Sequence, residues 1–177
     1  MRSACVTSAR FSSTSVKGVA VVLLALLSAC VPGYLAPWVL PDSPCTAVAA
    51  STVGWTVLET PHYTLRLPPD ARRISYEEYE LRGFSLRVAF NWMEGRTGLG
   101  ASGPYSTECH MEIGGHEATI VTLWRDAILI QAAWGPIAPS PMGDMGLSVS
   151  FRASGLSRYP DIVAIIRSVE FKEVGGT

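Results

Sequence analysis

From residue 62 onward, apolar and polar positions mostly alternate with period two, the pattern of half-buried strands. In His62–Leu67 the side chains of Tyr63, Leu65 and Leu67 share one face, and the run stops at Pro68-Pro69-Asp70. Glu77–Leu81 and Phe84–Trp92 predict two further strands, turning at Arg82-Gly83, with Phe84, Leu86, Val88 and Phe90 on one side. Tyr105–Ile113 and His116–Arg125 flank Gly114-Gly115, a dipeptide suited to the positive φ of a two-residue hairpin turn. Ala127–Trp134 is apolar on both faces and predicts a central strand. A Pro/Gly-rich loop over Gly135–Asp144 precedes an alternating Leu147–Phe151. The period then changes. Ile162, Ile165, Ile166 and Val169 fall at helical spacing, Ser157 or Tyr159 can cap the helix, and Pro160 and Asp161 suit its first turn. Ser168–Val174 predicts a last strand. The fold class expected is α+β, a mostly antiparallel β-sheet with a C-terminal helix packed on one face.

The beginning of the chain follows another rule. Arg2, Arg10 and Lys17 precede an apolar run, Gly18–Leu27, and no acidic residue occurs before Asp42. The run is too short to span a bilayer as a finished helix and has the length of a signal-peptide core. It closes on Leu27-Ser28-Ala29-Cys30, which resembles the lipobox of bacterial lipoproteins. That resemblance implies a diacylglycerol on the Cys30 thiol, cleavage just before it, and attachment to a membrane by two or three acyl chains. At about 0.8 kcal/mol per buried CH₂, two long chains hold where one would exchange. Val31 in place of Asp after the cysteine implies the outer membrane in an organism with two. Cys5 has no apolar core before it.

The expected organisation is a signal peptide over 1–29, a lipidated Pro-rich tether over 30–51 and one α+β domain over 52–174. Pro32, Pro37, Pro41 and Pro44 exclude helix and central strand from the tether. Removing residues 1–29 leaves 148 residues carrying 11 Lys/Arg against 15 Asp/Glu, a formal charge of −4. That balance argues against nucleic acid as a partner. Cys45 and Cys109 remain besides the anchor. One leftover pair in an oxidising compartment predicts a single disulfide, with two buried thiols as the alternative.

Three stretches resemble the PsbP-like family: Tyr63–Pro68 as an opening strand into a proline turn, Ile113–Ala118 as a mid-domain glycine hairpin, and Ile162–Phe171 as a helix running into a last strand. The resemblance spans residues 52–173 and lacks the helix that the family places after its first strand, Asp70–Ser75 being short. It implies a binding or assembly module rather than an enzyme.

Candidate chemistry is sparse. Gly98-Leu99-Gly100-Ala101-Ser102-Gly103 fits the dinucleotide pattern, but Pro104-Tyr105 and a strand follow it where that motif needs a helix. His110, Glu112, His116 and Glu117 have the look of a metal cluster. With Gly114-Gly115 as the turn, however, Ile113 pairs with His116 and His110 with Thr119, which puts the two imidazoles on opposite faces. No metal and no cofactor are expected. No Gly-x-Ser-x-Gly elbow or triad order occurs with His62, His110 and His116, and Glu77, Glu78 and Glu80 read as a solvated strand end. Trp55, Trp92, Trp124 and Trp134 are many for this length, and an open cluster of Trp92, Trp124 and Trp134 would suit an apolar ligand or peptide.

The expectation is a lipid-anchored, non-enzymatic binding or assembly module of the bacterial cell envelope, possessing a membrane anchor and an envelope protein as partner. Two alternatives stand beside it. One is a small hydrolase with a loop-built site beneath Gly95–Gly103, and the other a structural lipoprotein of an envelope complex, which an unpaired sheet edge would favour.

Overall fold

The computed structural model describes residues 42–91, 105–124, 126–138 and 144–172. They belong to the second of the two units into which the chain divides, residues 41–177. Cys30, most of the tether, Trp92 and the Gly98–Gly103 run lie outside the described residues.

Among the described residues, ten strands and one helix follow in chain order: β1 (Thr56–Glu59), β2 (Tyr63–Leu67), β3 (Arg72–Arg73), β4 (Glu78–Leu81), β5 (Phe84–Asn91), β6 (Ser106–Ile113), β7 (His116–Trp124), β8 (Ile128–Ala138), β9 (Met145–Ala153), α1 (Tyr159–Arg167) and β10 (Glu170–Phe171). The described strands pair antiparallel in two sheets, one ordered β1-β2-β10 and a larger one ordered β3-β4-β5-β9-β8-β7-β6. The α+β expectation therefore holds, with one sheet more than the sequence pattern showed. The terminal strand is shorter than expected and leaves the large sheet to pair with β2, Glu170 opposite Thr64 and Phe171 opposite Tyr63.

Period-two alternation gives the large sheet one apolar face. Leu86 lies opposite Phe151, Phe151 opposite Ile130, and Val88, Val149, Ala132 and Ile120 form the next row across the strands. Those residues share a single core with Tyr63, Leu65 and Leu67 of the small sheet and with Ile162, Ile165 and Ile166 of the helix. The small sheet and α1 thus make the second layer.

Three local expectations need correction. β8 continues past Trp134 to Ala138, through Gly135-Pro136, where a loop was expected. Its register shifts between Trp134 and Ala138, and such a bulge tolerates a residue without an N–H. The N-cap of α1 is Arg158, with no side-chain capping bond, in place of Ser157 or Tyr159. Its guanidinium reaches forward to Asp161 and across to Asp70. Residues 42–50, expected in the tether, pack along α1. Tyr159 Oη donates to Asp42 O at 2.7 Å, Arg167 Nη2 donates to the carbonyls of Pro44 and Cys45, and Ala50 N donates to Pro160 O. Cys45 is bonded to Cys109 of β6, with Cα atoms 6.2 Å apart, as the leftover pair predicted.

Candidate functional site

At the end of β5 that carries Val88 and Phe90, two turns meet. One joins β1 to β2, and Thr60 shapes it. Thr60 Oγ1 donates to Tyr63 O at 2.8 Å and accepts from Tyr63 N, while Thr60 N donates to the same carbonyl. This holds the His62 ring flat on Phe90, centroids 4.5 Å apart and planes within 10°. The other turn, between β3 and β4, is tied by Ile74 N and Ser75 N donating to Glu78 O and carries the exposed ring of Tyr76.

Between the turns lies a cleft of about 380 Å³ walled by His62, Tyr63, Tyr76, Tyr79 and Phe90, with Arg73, Glu59 and Glu77 among its polar groups. Burial pushes the Tyr63 phenol up to about 12, and the nearby phenols of Tyr79 and Tyr76 and the Glu77 carboxylate add to the effect. Tyr63 is therefore an uncharged donor and acceptor at every physiological pH.

Each charged group around the cleft has a partner in the protein. Glu59 accepts from Lys172 Nζ at 2.7 Å, which lowers its pKa. Glu77 accepts from Arg87 Nε and Nη2 at 3.3 and 3.1 Å. Arg73 donates to the carbonyls of Ser75 and Tyr76 and lies 5.4 Å from the Tyr76 ring centroid. Such a cleft can orient a ligand by ring faces and hydroxyls, with both carboxylates paired to cations and Arg73 held on backbone carbonyls.

The candidates expected from sequence fall elsewhere. The β6–β7 register is the expected one, Ile113 opposite His116, Glu112 opposite Glu117 and His110 opposite Thr119. His110 lies on the polar face with Glu108 at 3.3 Å and Glu117 at 3.5 Å from its two ring nitrogens. His116 turns inward, edge-on to Phe171. Among the described residues no group of three or more such side chains could hold a metal ion. Trp134 has no exposed surface and meets Phe171 edge-on, so it is a core residue and not ligand-facing. Trp124 and Trp55 are half-buried against the core and line no part of the cleft, and Trp92 is outside the described residues. The aromatic wall consists of tyrosine, phenylalanine and histidine instead. The sequence signal was the tyrosine, in place of an aliphatic residue, at inward positions 63 and 79, because a buried phenol needs somewhere to put its hydroxyl.

A second cavity of about 350 Å³ lies across β4, β5, β9 and β8, with Arg87, Gln131 and Arg152 among its lining groups. It contains Tyr79 as its single aromatic hydroxyl and lacks the converging rings of the first. Comparison with protein-family models, with curated proteins and with solved structures finds no match for this chain.

Proposed function

We propose that this chain is a lipid-anchored, non-enzymatic binding module of the bacterial cell envelope, attached through Cys30 and binding its ligand in the tyrosine-walled cleft. The cleft carries the reading: ring faces and neutral hydroxyls converge there, while the neighbouring carboxylates and guanidinium are committed to ion pairs and backbone carbonyls. Groups tied up in this way suit holding a molecule more than moving its protons. The anchor rests on the lipobox resemblance at Leu27–Cys30. The Cys45–Cys109 bridge fits the oxidising side of a membrane, where disulfides persist. The PsbP-like resemblance agrees in character with a two-layer α+β domain and with a glycine hairpin at Gly114-Gly115.

The anchor is tested by metabolic labelling with a fatty acid. Cys30→Ser should remain unlabelled and unprocessed at this site. Label that persists, or that moves to Cys5, would remove the anchor from the reading.

An assembly role has its own observation in the large sheet's order, which ends on the eight-residue strand β6 with no further strand beside it among the described residues. Such an edge can add a strand from another chain. A partner recovered with the lipidated protein from detergent-solubilised envelope, and lost when β6 carries a proline, would favour that role.

A further inference from the structure

We propose that the cleft between the β1–β2 and β3–β4 turns binds an uncharged, polyhydroxylated ring, a neutral pyranose sugar. This rests on the reading of the cleft as a binding site and adds the chemical class of its ligand.

Three observations carry it. First, the charges do not ask for a charged ligand. Glu59 is held by Lys172, Glu77 by Arg87, and Arg73 by two backbone carbonyls and the face of Tyr76. A cation would have to compete with Lys172 or Arg87 for its carboxylate, and an anion would meet Glu59 and Glu77 beside Arg73, whose Nε and Nη2 already serve backbone carbonyls. Second, the walls are too polar for a purely apolar guest. Tyr63, Tyr76, Tyr79 and Glu77 all line the cleft, and covering the exposed Tyr76 hydroxyl with hydrocarbon would strip water from it without replacement. Third, rings border the cleft and can meet the C–H side of a sugar ring. His62 lies flat on Phe90, Phe90 tilts against Tyr63 at 6.0 Å, and Tyr76 stands exposed at the rim with Arg73 over one of its two faces. A molecule with an apolar face and a girdle of hydroxyls answers all three. The volume of about 380 Å³ is at the small end of ligand sites and sets the size at one or two rings.

The experiment uses the full lipidated chain in a polyoxyethylene detergent, which carries neither sugar nor ammonium. Saturation-transfer NMR is recorded with methyl glucoside and N-acetylglucosamine, and beside them with glucuronate, choline and a proline-rich peptide. Saturation should pass from the protein's aromatic protons to the C–H face of the neutral sugars. Affinity should fall about tenfold in Tyr63→Phe, which keeps the ring and loses the hydroxyl, and at least as far in Tyr76→Ala at the exposed rim. Tyr76→Ala serves alone if the buried Tyr63 variant does not fold. Binding of choline, glucuronate or the peptide that depends on Tyr76, with the neutral sugars silent, would overturn the sugar assignment and leave the cleft as a binding site. No binding by any probe, or binding indifferent to both substitutions, would overturn the sugar and the binding cleft together.

Discussion

At Gly114 two constraints fall on one backbone position. Its φ of +60° lies in the left-handed region, and a Cβ there would sit 2.8 Å from the carbonyl oxygen of Val169 and 3.1 Å from the ring of Phe171. Gly115, at φ +79°, has nothing within 4 Å of the same point. Gly115→Ala should therefore lose about 1 kcal/mol from the backbone alone, whereas Gly114→Ala should lose at least about 2 kcal/mol because Val169 must also move. Urea unfolding of both variants checks this, and equal losses would refute the close approach. Asp70 makes a two-pronged pair with Arg158 at 2.8 and 3.0 Å, and that bond, chiefly, lowers its pKa to about 2. A carboxyl depressed in the folded state stabilises fully above its unfolded value near 4 and loses its contribution as pH falls towards 2. The urea midpoint of Asp70→Asn should thus fall less steeply than that of the native chain over this window. The phenol of Tyr63 acts at the opposite end. Raised to about 12, it favours the fold below pH 10 and withdraws that support between pH 10 and 12. Tyr63→Phe should reduce the alkaline loss without abolishing it, since burial also raises Tyr159.

Helix α1 shows what periodicity can and cannot reveal about an element. Ile162, Ile165 and Ile166 mark its core-facing stripe and were legible, but Val163 and Ala164 are buried as well. A helix covered beyond one stripe needs a second neighbour, and the 42–50 segment running beside it is one. The Pro-rich pattern of the tether concealed that neighbour. Strands β1 and β3 were missed for a related reason: Thr56–Glu59 is largely exposed and Arg72–Arg73 wholly so, which leaves no alternation to read. The hairpin registers were legible because two glycines fix the turn and every later pair follows from it. The cleft was not, because its walls come from two turns and a strand that meet only across layers, as His62 does with Phe90. Arg167 is the main polar tie between helix and segment, its guanidinium bonding two carbonyls. Arg167→Ala should cost about 1–3 kcal/mol and speed reduction of the Cys45–Cys109 bridge by dithiothreitol. Unchanged reduction kinetics would mean that the segment is held without it.

For the described unit as a whole, the bridge joins residues 64 apart in sequence, so the loop it closes takes in all of strands β1 to β5. Loop-closure entropy makes such a cross-link worth up to about 4 kcal/mol, by confining the unfolded chain rather than by adding contacts. The folded state loses little when the bond is absent, because Cys45 and Cys109 are only partly buried at the border of a core built mainly from β2, β4, β5, β7, β8, β9 and α1. Asp42 follows Cys30 by 12 residues, at most about 40 Å of extended chain, so a lipid on Cys30 would keep the start of the domain close to the membrane surface. The bridge and the bonds to α1 pin the far end of that leash. Replacing both cysteines with serine should therefore leave a cooperative unfolding transition, with its free energy reduced by up to about 4 kcal/mol. The leash should at the same time become open to proteolysis near Cys45. Loss of the cooperative transition would show that the core cannot fold without the cross-link. An unchanged midpoint would show that the unfolded chain is already confined by other means.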